Sequence, residues 1–154
     1  MVALLQGLLT PLIGIIALYI AWQQWKGNQL RLKMDRYERR IRIYQEVVKF
    51  LRACSNGKIE FVDILGFGAS TAEGDFLFGP EIRQYLEEIS SRAVDLSVAR
   101  AEYRDFTQPA PPRDYDHNKV VREMTTQIKW FTDQLMGFYA KNKFAPYLDI
   151  SRNG

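Results

Sequence analysis

The chain's only histidine, His117, closes an Asp114-x-Asp116-His117 cluster, and carboxylates beside an imidazole are ligand types for a divalent cation. No second histidine and no further defined ligand set accompany them, so helix capping by Asp116 or Asn118 is the plainer role. Gly66-x-Gly68 invites a phosphate cradle, but no strand precedes it and no Gly-Lys-Ser/Thr or third glycine follows in register. Glu87 and Glu88 are neighbours on a helical stretch and point about 100° apart, poor geometry for shared acid–base work. Cys54, the single cysteine, sits towards the C-terminal end of a helical pattern and lacks the positive helix end that would activate a thiolate. It also excludes an intramolecular disulfide framework and a multi-cysteine metal site. Pro109-Ala110-Pro111-Pro112-Arg113 has the form of a polyproline ligand but reads first as a proline-rich linker. None of these constellations is specific to a reaction. The expectation is a non-catalytic protein with no cofactor and no metal.

The elements that would hold such residues are organised around one stretch, from Pro11 to about Ala53. No Lys, Arg, Asp or Glu occurs between Met1 and Trp25. A helix needs about 20 apolar residues to cross a bilayer core, and this segment supplies them from near Val2 or Ala3. A secretory signal would carry a basic n-region and a small-x-small cleavage site; both are missing, so the segment is expected to be an anchor. Pro11 admits two placements. It can open the helix behind a Thr10 cap, or it can kink a helix that began near Ala3. The first leaves only about 15 residues for the crossing, so the second is favoured.

Lys26, Arg31, Lys33, Arg36, Arg39, Arg40 and Arg42 follow the segment and nothing basic precedes it. The positive-inside rule then places the N-terminus outside and residues 26–154 in the cytoplasm. Trp22 and Trp25 suit the headgroup level. Together with Lys26, Arg31, Lys33, Arg36, Arg39 and Arg40 they form the expected contact with anionic lipid at the cytoplasmic face. Residues 1–54 hold nine Lys and Arg against three Asp and Glu, while residues 55–154 hold twelve against fifteen. Basic character is therefore local to the membrane flank, which argues for lipid and against nucleic acid.

Ala3, Gly7, Thr10, Gly14, Ala17 and Ala21 are spaced by 4, 3, 4, 3 and 4, one narrow face that would let helix backbones approach closely in lipid. It is the expected transmembrane interface, with a second copy or with another partner. Beyond Trp25, the residues Leu30, Met34, Tyr37, Ile41, Tyr44, Val48 and Leu51 repeat at heptad spacing. The stripe could pair between chains, or pack on its own domain, where Ile43, Val47 and Phe50 would widen it towards a core.

The run TPLIGIIALYIAWQQWKGNQLRLKMDRYERRIRIYQEV, with FLFGPEIRQYL later, resembles a family of small bacterial single-pass inner-membrane proteins. These open with one transmembrane helix ending in a Y-I-A-x-Q-Q-like segment and continue into a basic helix with a D-x-Y/F-E/D-R-R-like core. The resemblance covers most of the chain and is strongest over residues 10–50 and 76–86. It implies an inner-membrane protein with a helical cytosolic domain. It brings no established activity and carries over no catalytic residue.

Ser55-Asn56-Gly57 reads as the stop of the long helix. Residues 58–65 suit a short helix, and Gly66 to Gly74 a loop. Phe76-Leu77-Phe78 is an apolar cluster before a helix start, with Gly79 able to cap and Pro80 at the first helical position. That helix runs to about Arg104, with Ile82, Tyr85/Leu86, Ile89, Ala93, Leu96 and Tyr103 on one side. After the linker 107–118, Val121, Met124, Ile128, Phe131, Leu135 and Phe138 mark a helix over 119–142, and residues 144–150 an apolar tail folding back.

The expected fold is all-α. An N-terminal transmembrane helix (1–25) continues into a long cytosolic helix within a small antiparallel bundle (26–154; helices about 26–54, 58–65, 80–104 and 119–142). The expected function is a membrane-tethered scaffold or accessory subunit, working as a homo-oligomer or within a larger membrane complex. A membrane-active effector whose oligomerisation perturbs the bilayer, and a cytosolic ligand sensor, are the alternatives.

Overall fold

The structure is a computed structural model that describes residues 2–105, 107 and 114–149, with side chains of the first helix described from Ile13 onward. The described residues are helical, with no strand among them: α1 (Val2–Ser55), α2 (Phe61–Thr71), α3 (Gly74–Leu77), α4 (Pro80–Glu102), α5 (His117–Met136) and α6 (Tyr139–Leu148). They form two compact units, Met1–Glu38 and Arg39–Gly154.

The first unit consists of the N-terminal part of α1. Its large side chains from Ile13 to Met34, including Leu18, Ile20, Trp22, Trp25 and Leu30, are exposed. Its described contacts are local. Gln23 donates to the Tyr19 hydroxyl at 3.0 Å, and the Lys26 ammonium stands 4.0 Å from the centre of the Trp22 ring. No helix among the described residues is long and apolar enough to cross a membrane. The predicted crossing begins within residues 2–12, whose side chains lie outside the described set; the described uncharged run starts only at Ile13.

The second unit has a core drawn from every helix in it except the single turn of α3. Ile43, Val47, Phe50, Leu51 and Cys54 of α1 are buried, as are Ile82, Ile89 and Leu96 of α4, Phe131 of α5 and Phe144 of α6. The predicted stripe packs on its own domain as far as its second half is concerned: Leu51 is fully buried and Ile41, Tyr44 and Val48 half-buried, with Ile43, Val47 and Phe50, the positions expected to widen it, carrying most of the core contact. The predicted stripe of α5 holds at its centre, with Phe131 buried and Ile128 and Leu135 packed on the core, and fails at its ends, where Val121 and Phe138 are exposed; Val120 and Gln127 are buried beside it. Buried Gln127 is satisfied by accepting from Arg92 and donating to Glu123.

Two pairings fix the bundle. Tyr85 donates to Gln134 and Arg92 to Gln127, so numbering rises along α4 as it falls along α5: the two are antiparallel. Arg40 reaches Tyr147 and Tyr44 meets Phe144 on α6, which runs antiparallel to α1 in the same way.

Helix ends follow local chemistry. The α1 stop at Ser55 is a Schellman turn: Gly57 adopts φ +64°, its N–H donates to Cys54, and that of Lys58 donates to Ala53. The predicted loop from Gly66 onward is instead helical, because α2 continues to Thr71. Two mid-helix glycines cost about 1 kcal/mol each, and burial of Ile64 and Phe67 offsets that cost. Phe67 stacks on Phe50 with ring centres 4.1 Å apart. The predicted helix 119–142 breaks in two. Gly137 closes α5, and Phe138 turns left-handed at φ 56° to start α6.

Candidate functional surface

The predicted chemistry-bearing residues are not brought together. Asp116 caps α5 by accepting from the Lys119 N–H at 3.0 Å, and His117 lies beside the Tyr115 hydroxyl and the Tyr103 ring. Among the described residues no three His, Cys, Asp or Glu side chains converge as metal ligands would. Glu88 pairs with Arg92 at 3.1 Å along the helix surface. Cys54 is fully buried, and desolvation pushes its thiol up to about 12, so it is neither a thiolate nor a nucleophile at neutral pH. The Pro109–Arg113 motif lies outside the described residues, as do the side chains of Ala3, Gly7 and Thr10.

The remaining small residues, Gly14, Ala17 and Ala21, are exposed, and a Cβ on Gly14 would meet nothing within 4 Å. Trp22, Trp25, Lys26, Arg31, Lys33 and Arg36 are also exposed, in the first unit. Arg39 is exposed in the second unit, where it shares Glu73 with Arg42 at 3.6 and 3.4 Å. Such half-exposed pairs contribute about 0–1 kcal/mol.

Arg40 is different. Its Nε donates to the Leu77 carbonyl at 3.0 Å and its Nη1 to the Tyr147 carbonyl at 3.2 Å. The guanidinium faces the Phe78 and Tyr147 rings, 6.0 and 5.6 Å from their centres. The arginine predicted as a lipid contact thus has an internal set of partners, at the joint of α1 with the α3–α4 turn and the end of α6. In the same joint the Tyr147 hydroxyl donates to Glu81 and accepts from the Gly79 N–H. Its hydrogen bond to Glu81 holds the Tyr147 phenol above its ordinary range, and the same bond holds the Glu81 carboxyl below its own. The predicted plug, Phe76-Leu77-Phe78, divides: Phe78 is buried against Phe144 and Tyr147, while Phe76 is exposed.

Two apolar surfaces of the second unit escaped the sequence reading. One is the outer face of α2, with Phe61, Val62 and Leu65 exposed. The other is a cleft of about 460 Å³ between α1 and the α5–α6 junction, edged by Tyr44, Val48, Met136 and Phe138. The first was hidden because α2 is apolar on all sides. The second was hidden because the apolar repeat of α5 runs on through Phe138, although Gly137 is the usual helix-stop signal. Neither comparison with protein-family models nor comparison with curated proteins or solved structures returns a match.

Proposed function

We propose that the protein is a membrane-tethered, non-catalytic scaffold. In this reading residues 1–25 form a single-pass anchor in a bacterial inner membrane, N-terminus outside, and residues 26–154, with the unit Arg39–Gly154, are displayed in the cytoplasm as an assembly domain. The observation that carries this is the first unit itself. From Ile13 to Trp25 it has no charge and, among the described residues, exposes large apolar side chains around most of the helix, the remaining face being the small one through Gly14, Ala17 and Ala21. A helix apolar all round is stable only inside a larger protein or a membrane. Thirteen residues are too few to span, and the uncharged stretch reaches crossing length with the residues before Ile13.

The exposed Lys26, Arg31, Lys33 and Arg36 suit anionic headgroups, each contributing on the order of 1 kcal/mol close to the surface. The small face through Gly14, Ala17 and Ala21 would serve helix pairing in lipid, with a second copy or a partner subunit. The resemblance to small single-pass membrane proteins agrees with this placement.

The test is extraction of the full chain from membranes with alkaline carbonate, beside the Ile16→Arg/Ile20→Arg variant. Each mid-membrane arginine costs about 2.5–3.5 kcal/mol on insertion scales. The natural chain should stay in the pellet and the variant should move to the supernatant. A natural chain released by carbonate would sink the anchor.

A further inference from the structure

α6 is held on its unit by groups that a second copy would supply equally well. Its Phe144 is fully buried and meets Tyr44 of α1, Phe78 of the α3–α4 turn and Tyr85 of α4. Tyr147 is fastened at two points. Its carbonyl accepts from Arg40, and its hydroxyl accepts from the Gly79 N–H and donates to Glu81. All of these partners lie between residues 40 and 85, before α5 begins. The seat of α6 is thus the same whichever copy delivers the helix.

The link that keeps α6 on its own seat is short and strained. Only Gly137 and Phe138 separate α5 from α6. Phe138 sits at φ 56° and ψ 18°, the one non-glycine with positive φ among the described residues, and a bulky side chain is sterically opposed to that conformation. Its ring gains no burial in return, being 61% exposed. Gly137 is constrained as well: a Cβ there would collide with the Tyr139 ring and stand 2.8 Å from the Asp133 carbonyl oxygen. The closed turn needs a glycine at 137 and would be easier with one at 138.

Local sequence favours the opposite. The repeat Ile128, Phe131, Leu135, Phe138 continues at helical spacing straight through the turn. Returning Phe138 to right-handed backbone would join α5 and α6 in one helix and carry α6 away from its own α1 and α4. Ala140 and Phe144, buried in the closed chain, would then be bare, and so would the seat. A helix already shaped for that seat is α6 of a second copy.

We propose that the unit Arg39–Gly154 pairs by exchanging α6, each copy's α6 lying on α1, the α3–α4 turn and α4 of the other. This rests on the scaffold reading and names its partner as a second copy of the same chain. Every contact of α6 with its seat recurs between copies, and the left-handed turn is relieved in both. A short hinge under strain is the feature that favours such an exchange. The pair is two-fold and closed, so it stops at two.

The test uses the full chain in detergent micelles. Glu88→Cys on α4 and Lys143→Cys on α6 are made as single variants. The Lys143 ammonium stands 5.0 Å from the centre of the Tyr85 ring, and Glu88 lies one helical turn along from Tyr85. The two variants are co-expressed and treated with a thiol-to-thiol crosslinker, Cys54 being buried. A covalent pair holding one chain of each kind is expected, and either variant alone should give none. Two hinge variants should move the yield in opposite directions, with thermal melting as a check on folding. Gly137→Ala crowds the closed turn and Phe138→Gly relaxes it, so the first should raise and the second lower the ratio of exchanged to closed chains about tenfold. No mixed pair in any background, Gly137→Ala included, would overturn the exchange. So would a mixed pair indifferent to both hinge variants, because the copies would then lie side by side with each α6 at home. A pair confined to Gly137→Ala would overturn it too, as an exchange created by the substitution. Carbonate extraction of the same chains reports the anchor by itself, so failure of the exchange and failure of the tether are told apart.

Discussion

The single helix α1 has one composition of bulk and two fates. Between Ile13 and Met34 its isoleucines, leucines and tryptophans are exposed; between Ile43 and Cys54 an isoleucine, a valine, a phenylalanine and a leucine are sealed in a core. Intrinsic hydrophobicity does not separate the two stretches. What separates them is neighbours: α2 and α6 pack on the second through Phe67 and Phe144, while the described side chains of the first are exposed. Burial is thus a property of the surroundings, and the uncovered stretch defines what kind of surroundings it needs.

Cutting the cover away from the buried stretch should have the largest effect. Phe144 is fully buried and meets Tyr44, Phe78 and Tyr85. Phe144→Ala should destabilise the second unit by about 3–5 kcal/mol in a guanidinium titration of the detergent-extracted chain. Leu18→Ala, on the exposed stretch, should move the same transition by less than about 0.5 kcal/mol. Equal effects would mean the two stretches share one core, and the contrast would fail.

The next test sets two arginines of the same helix against each other. Arg40 bonds two carbonyls across the second unit, whereas Arg36 is exposed in the first. Arg40→Ala should cost about 1–3 kcal/mol in the same titration, because hydrogen bonds to a charged group are among the stronger ones. Arg36→Ala should leave the transition in place and instead reduce flotation with anionic vesicles. A reversal would make Arg40 the lipid contact and Arg36 the structural one.

The smallest expected effect is on pH. Glu81 is held below its ordinary range, so its contribution is present above the unfolded carboxyl range and is lost as pH falls through its depressed value. Tyr147 is held above its ordinary range, so its contribution is complete below the unfolded phenol range and fades as pH rises through the raised value. Melting temperature should therefore sag at both extremes, and Glu81→Gln should flatten the acid side. Persistence of the full acid sag in that variant would assign it to other carboxylates.

Much of the second unit was legible because its signals are local. Gly57 ends α1 where a left-handed residue is required, and Pro80 opens α4 at the first helical position. The α4 series through Ile82, Ile89 and Leu96 names a face that really is buried. The misreadings share one cause, the choice among neighbouring faces by tertiary contact. On α1 the regular repeat reaches full burial only at Leu51, with Ile41, Tyr44 and Val48 half-buried, and the widening positions Ile43, Val47 and Phe50 carry most of the core, Phe50 stacking on Phe67. Gly66 and Gly68 looked like loop residues because nothing local shows that Ile64 and Phe67 will be buried. The candidate contact surfaces were the least legible part. Phe61, Val62, Met136 and Phe138 are apolar residues in an apolar-rich chain, and only their exposure distinguishes them.

The joint between Arg40 and Tyr147 links residues 107 positions apart. At about 5–20 residues per second, the ribosome needs on the order of 5 to 20 seconds to make the intervening chain. Throughout that interval the apolar face of α1 from Ile43 to Cys54 is already synthesised while the last helix that closes over it is not. The nascent protein therefore passes through a period in which both stretches of its first helix are sticky. Shielding of the trailing one, by a chaperone or by early docking of α2 and α4, becomes a requirement of its biogenesis.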